Sequence, residues 1–342
     1  MGSGAVAGLA VLGAGSYGPA GRDALETTLL LRAGLPAVGP APRSDGTGAP
    51  ITMGLAPALG DLPATERLVE LGARAVRSCL VDLERSVAGA RRLGLWLALS
   101  PAEVVQAAEA AALGARIARS AGLEPGAPIT AYVEGAIAGA DLLRLASEAL
   151  RRGELDVALV CGAHSDHDEA RVRALVERGE LYTNDQIEGS FAGEQAACVA
   201  IGAGSRAKLR APLATLLGAA AADAPAEAAS PEQLAVLSEL SDSIAPTGLE
   251  RRVAWVLSDA AFDPRALREH AAWLTRRASL FGGAYLLDYP AQRIGALGAS
   301  ALPFGLAVIA TTWSRGAGPE GAAAVIAESA TGRRSLVLLE PG

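Results

Sequence analysis

The chain has 342 residues, a formal net charge of −7 and a pI near 5.2. It has no dense Lys/Arg stripe, so it argues against nucleic-acid binding, which leans on phosphate neutralisation. Cys79, Cys161 and Cys198 are odd in number, far apart in sequence and set among apolar residues, which excludes a disulfide framework and fits buried thiols of a reducing compartment.

Taken in order, "AVAGLAVLGAG" reads as a strand closing on glycines, followed by a polar, Gly/Pro-rich stretch to about residue 62. From Ala64 to about Leu83 apolar residues recur at three- and four-residue spacing, which predicts a helix. A strand ("LGLWLALS"), a helix capped by Ser100-Pro101 with Glu103, and a strand ("PITAYV") come next. A sharp turn at Glu134, Gly135, Ala136 and Ile137 opens a helix to about Arg152. Its charges, Asp141, Arg144, Glu148, Arg151 and Arg152, fall on one narrow stripe, so most of that helix is buried. The strand "LDVALVCG", a loop with "HSDHDEAR", a polar helix and the strand "GSFAGEQAACVAIGAG" complete the first half.

A similar order then recurs. "APLATLLGAAAADA" is a strand, 231–245 a helix, "RRVAWVLSDA" a strand and 264–280 a helix; an uncharged helix near 299–313 precedes a closing strand pair, "AAAVIAESA" and "RSLVLLEP". Strand–helix alternation implies parallel strands with helical crossovers, hence an α/β layered fold. Halves near 1–205 and 206–342 suggest a duplication, with one buried helix per half sandwiched between two sheets. The uncharged run 294–314 is interrupted by Gly295, Gly298, Pro303 and Gly305, leaving its apolar core short of a membrane span. With no basic n-region at the start and Val6 where a myristoylation signal wants Ser or Thr, a cytoplasmic protein is expected.

Several segments resemble the β-ketoacyl synthases of the thiolase superfamily. "ASEALRRGELDVALVCGAH" looks like their buried helix ending in Arg-Gly-Glu before a strand and a Gly pair. "GSFAGEQAACVAIG" is similar to their "GF…GEGAGVLVL" strand, keeping Gly189, Gly193 and Glu194. "LAVLGAGSYGPAG" and "ERLVELGARAV" resemble the opening strand and first long helix. The resemblance implies a thiolase-like fold: two duplicated βαβαβαββ halves in an αβαβα five-layer arrangement. It also implies that three family positions are changed. Counting back from Gly153, the nucleophilic Cys falls on Ala136; "VAWVLSDAAFD" carries Asp259 where the first catalytic His would stand; "RIGALGASA" carries Ala296 in place of the second.

Condensation needs a thiolate to take the acyl chain and imidazoles to stabilise enolate and oxyanion, and alanine supplies neither. The resemblance therefore implies a catalytically inactive, dimeric relative, similar to a chain-length factor. It would pair as a homodimer or as a heterodimer with an active ketosynthase, with acyl carrier protein a further candidate partner and no cofactor expected. An acyl-thioester enzyme using Glu134 or Asp259, and an adaptor without acyl ligand, are the alternatives.

Other motifs carry less. "LGAGSYG" fits G-x-G-x-x-G, but Pro19 and the polar stretch behind it spoil the helix a dinucleotide site needs. His164, Asp166 and His167 have the density of metal ligands; the plainer reading is a solvated loop after a strand. His270 reads as a helix-surface residue, Cys161 as packing, and Glu194 as the anchor of a buried polar network.

Overall fold

The computed structural model describes residues 6–87, 89, 92–100, 106–224, 230, 233–245, 248–249, 252–329 and 332–342. Ten strands form one continuous path: β1 (Leu9–Tyr17), β4 (Leu93–Leu99), β5 (Ile129–Val133), β6 (Val157–Ser165), β7 (Ala192–Ala203), β8 (Ala214–Asp223), β9 (Val253–Ser258), β10 (Phe281–Asp288), β11 (Ala322–Glu328) and β12 (Arg333–Pro341). Their spatial order is β10-β9-β11-β12-β8-β1-β7-β6-β4-β5. The set β5-β4-β6-β7-β1 is repeated as β10-β9-β11-β12-β8, and in each the first three strands are parallel and the last two pairings antiparallel. The two sets meet where β1 pairs with β8, at Ala10↔Thr215 and Val11↔Ala214. A hairpin of β2 (Gly39–Ser44) and β3 (Pro50–Gly54) extends from the start of β7.

Alternation along the strands builds the layers, because successive side chains point to opposite faces. In β4, Leu95, Leu97 and Leu99 pack with the outer helices α2 (Ala64–Glu84) and α3 (Ala107–Ala121), while Trp96 and Ala98 face the central layer. In β12, Leu336 and Leu338 face α6 (Val236–Ile244) and α7 (Pro264–Arg276), while Val337 and Leu339 face the centre. Between the sheets lie α4 (Ala138–Arg151) and α9 (Ala301–Ser314), completing an αβαβα stack.

Small residues let these central helices approach: a methyl on Gly139 would stand 2.7 Å from Leu302 Cβ. Every residue of α9 from Ala301 to Thr312 is buried, as its unbroken apolar surface predicts, and Thr312 Oγ1 donates to the Val308 carbonyl at 2.7 Å. Among the described residues no helix is long and apolar enough to cross a membrane.

Boundaries differ from the sequence expectations at several places. The Gly/Pro-rich stretch contains a helix, α1 (Ala24–Arg32), whose Asp23 side chain accepts the Glu26 amide, as well as the β2–β3 hairpin. The predicted Pro101 and Glu103 cap lies outside the described residues, as do 231–232; α3 begins at Ala107. The predicted helix 264–280 ends at Arg276, and the unforeseen edge strand β10 follows. The polar helix of the first half is α5 (Glu169–Glu177), and a short α8 (Ala291–Ile294) precedes α9.

The three cysteines, distant in sequence, converge between α2 and the first sheet. Cys161 lies directly opposite Cys198, and Cys79 packs beside them; all are free and buried. Burial first, then the neighbouring Cys161 and Cys79, pushes the Cys198 thiol well above its ordinary value, so it stays protonated.

Candidate functional site

β5 ends in a reversal carried by Gly135, whose φ of 64° lies in the left-handed region that favours glycine. A single 3-10 turn, Gly135–Ile137, leads into α4, with Ala136 and Ile137 buried. This turn meets the matching turn Gly298–Ser300 at the head of α9, and both border the ends of β4 and neighbouring strands. Two helix N-termini thus face one junction, the Ala138 and Ala301 amides already donating to the Gly135 and Gly298 carbonyls of their own turns.

The structure places the predicted site residues as follows. Ala136 stands at the head of α4 with its methyl in the central core. Glu134 is exposed at the end of β5. Ala296 donates its amide to the Phe191 carbonyl at 2.9 Å and packs on Gly193, where an added methyl would lie 2.5 Å from Ala296 N.

His164 comes to the junction instead of to a metal cluster. A methyl on Gly298 would lie 2.3 Å from His164 Nδ1, so the ring is wedged against the head of α9. His164 Nε2 lies 3.1 Å from Asp166 Oδ2; Asp166 also accepts from Arg171 Nε at 2.5 Å and from the Gly193 amide at 3.0 Å. Burial alone would raise the Asp166 carboxyl, but the His164 ring and Arg171 outweigh it and hold it well below the usual carboxylate range. His167 is half-buried, its ring lowered by burial and then by Arg67. Among the described residues no group of three or more His, Cys, Asp or Glu converges as metal donors.

Next to these lies the network anchored on Glu194. Its carboxylate pairs with buried Arg67 and accepts from Ser165 Oγ at 2.8 Å and the Ala56 amide at 3.1 Å. Arg67 Nη1 also donates to the Gly60 carbonyl at 2.6 Å.

A second network, not anticipated from the sequence, gathers at the ends of β9 and β11. Asp259 accepts the Glu328 amide on both oxygens, at 3.1 and 3.2 Å. His270 is buried, not at the surface: its Nε2 lies 2.7 Å from Glu328 Oε1 and its Nδ1 3.3 Å from Tyr289 Oη. Arg334 pairs with Glu269 at 2.9 Å and approaches Glu328 at 3.6 Å. The residue Asp259 keeps some exposure, but its carboxyl is enclosed, and burial followed by the Glu328 carboxylate pushes it well above its ordinary value. Protonated, it is a hydrogen-bond donor as well as an acceptor.

That shift has a measurable consequence. A folded carboxyl that holds its proton longer than the unfolded one loses stability as pH rises from the unfolded value, about 3.9, towards the higher folded value. Asp259→Asn removes this slope. In thermal melts from pH 4 to 8 the variant is expected to gain on the wild type as pH rises; a difference that stays constant across the range contradicts the enclosed carboxyl.

No family model and no curated protein matches the sequence. Solved structures do match the fold. One chain of the structure of a type II PKS acyl-carrier protein in complex with its ketosynthase bound to the hexaketide aligns over 98% of this chain and 100% of its own length, with TM-score 0.77 at 12% identity. The ishigamide ketosynthase/chain length factor covers 97% and 99%, with TM-score 0.73 at 17% identity. The ketosynthase from module 6 of the bacillaene synthase of Bacillus subtilis 168 covers 98% and 72%, with TM-score 0.74 at 15% identity. The chain therefore has the thiolase-like fold of the ketosynthases.

Proposed function

We propose that this chain is a non-condensing, ketosynthase-like partner subunit of polyketide or fatty-acid synthesis, similar in role to a chain-length factor. The observation that carries the reading is the location of the sulfur. The chain's three cysteines all lie in the outer layer against α2, and the head of α4 in the central layer carries Ala136. Without a thiolate there, no acyl-enzyme forms at that turn, and the condensation cannot be divided into two easier steps. The repeated strand order supports reading 1–205 and 206–342 as duplicated halves. Edge strand β5 pairs with β4 alone among the described residues, leaving an open edge beside the turn for a second subunit, either another copy or an active ketosynthase.

The enclosed Asp259 carboxyl, pushed up by burial and by Glu328, favours one competing reading, an acyl-thioester enzyme that uses this acid; exposed Glu134 is the weaker candidate. Incubation with acyl- and malonyl-carrier-protein thioesters separates the two. Unchanged intact mass and no release of free thiol are expected. Turnover or acylation that disappears in Asp259→Asn or Glu134→Gln overturns the non-condensing reading in favour of the enzyme. Purification from the native host tests the partner: an active ketosynthase recovered in stoichiometric complex is expected, and a homodimer alone rules out the heterodimer.

A further inference from the structure

At the far end of α9 from the candidate site lies a cleft of about 500 Å³. The 14 residues of α9 set the two apart by about 21 Å at a rise of about 1.5 Å per residue. In a chain of net charge −7, six arginines line this one cleft: Arg22, Arg74, Arg77, Arg85, Arg210 and Arg315. Two aspartates, Asp23 and Asp82, face them.

Local pairing leaves positive charge over. Glu26 answers Arg22 at 2.9 Å and Glu70 answers Arg74 at 3.1 Å. Asp82 is shared between Arg210 at 3.1 Å and Arg85 at 3.9 Å. Among the described residues no carboxylate lies within ion-pair distance of Arg77 or Arg315; Arg77 spends one donor on the Ser120 carbonyl at 2.8 Å. Arg210 Nε is buried with no hydrogen-bond partner, which is costly unless a ligand supplies an acceptor.

The floor is different in character. Buried Tyr17 presents its ring beneath the Arg74 guanidinium, 4.8 Å from the ring centroid, and its hydroxyl bonds Arg74 Nη1 at 2.5 Å. Leu25 and Val81 add apolar wall. Guanidinium forks match phosphate oxygens in geometry and charge, and the volume falls in the range of about 300–1,000 Å³ common for small-molecule sites.

We propose that this cleft binds a small organic phosphate carrying two or more negative charges. Its phosphates lie on Arg77, Arg210 and Arg315, and its less polar body lies on Tyr17, Leu25 and Val81. A concave site with an apolar floor suits a small molecule better than the convex face of an acidic protein.

Calorimetric titration at low and moderate salt tests this, using pyrophosphate for the charge and adenosine diphosphate for charge plus body. Both are expected to bind, the second more tightly, and both more weakly as salt rises. The double variant Arg77→Ser/Arg315→Ser, altered at two exposed positions, should keep its melting temperature and lose affinity by about tenfold or more. The control Arg265→Ser, which removes an exposed arginine on α7, should leave affinity unchanged. Absence of binding by either phosphate overturns the proposal. So does equal weakening in the control, or binding of an acidic carrier protein to the cleft when neither small phosphate binds.

Discussion

Arg67→Ala is expected to destabilise the protein by about 3–5 kcal/mol, the cost of leaving one member of a buried ion pair alone. Arg67 and Glu194 are both buried, with side-chain exposures of 2% and 0%, so water cannot take over the solvation of the remaining carboxylate. Glu194 would keep the Ser165 hydroxyl and the Ala56 amide, two neutral donors in place of a guanidinium. The loss also reaches the candidate site, because Ser165 directly follows His164, the ring wedged under the head of α9. Urea unfolding measures the effect. Arg67→Met/Glu194→Gln removes both charges while keeping an acceptor for the Ala56 amide, and should lose less than Arg67→Ala alone. A single variant within about 1 kcal/mol of wild type, or a double variant worse than the single, contradicts a desolvated pair.

Glu194 illustrates what the sequence carries well. A carboxylate inside a strand that is apolar but for its neighbour Gln195, "AGEQAACVAIG", must be paired, and the strand itself is set by its apolar content. The strand–helix alternation, the single charged stripe of α4 and the uncharged surface of α9 were legible for the same reason: burial on each layer writes a periodic pattern. Other features were not. His270 shares the buried face of α7 with Ala266, Glu269 and Trp273, and its polar partners, Glu328 and Tyr289, lie 58 and 19 residues further along. The three thiols meet through pairing of β6 with β7 and packing of α2, which no local window contains. β10 was missed because "FGGAYLLD" carries two glycines directly after Phe281 and lies on an exposed edge, with no alternation to mark it. His164 looked like part of a metal loop because spacing along the chain gives density of donors, not their direction. Side-chain alternation in β6 turns His164 towards the central layer, with Ala158 and Val160 on the same face.

Gly162→Ala is expected to cost at least about 3 kcal/mol, the upper end of what overpacking a core incurs. The new methyl would stand 2.1 Å from the Ala299 carbonyl oxygen and 2.7 Å from Ser300 Cα, both backbone atoms of the turn that opens α9. No flexible side chain is there to swing aside. Either the head of α9 lifts from the sheet, or β6 slips from its pairing with Ala98 on one side and Ala197 on the other. Pairing on both edges resists the second, so the strain goes into the junction where the two helix heads meet. Gly204→Ala is the matched control: its added methyl would meet nothing closer than Ala10 Cβ at 3.8 Å, and it should stay within about 0.5 kcal/mol of wild type. Urea midpoints compare the two, and faster hydrogen exchange at the Ser300 amide, which donates to the Leu297 carbonyl at 3.0 Å, locates the damage. Equal stability of the two variants would mean that β6 and the head of α9 do not touch through their backbones. The reading of the junction as a closely packed, thiol-free elbow would then fail with it.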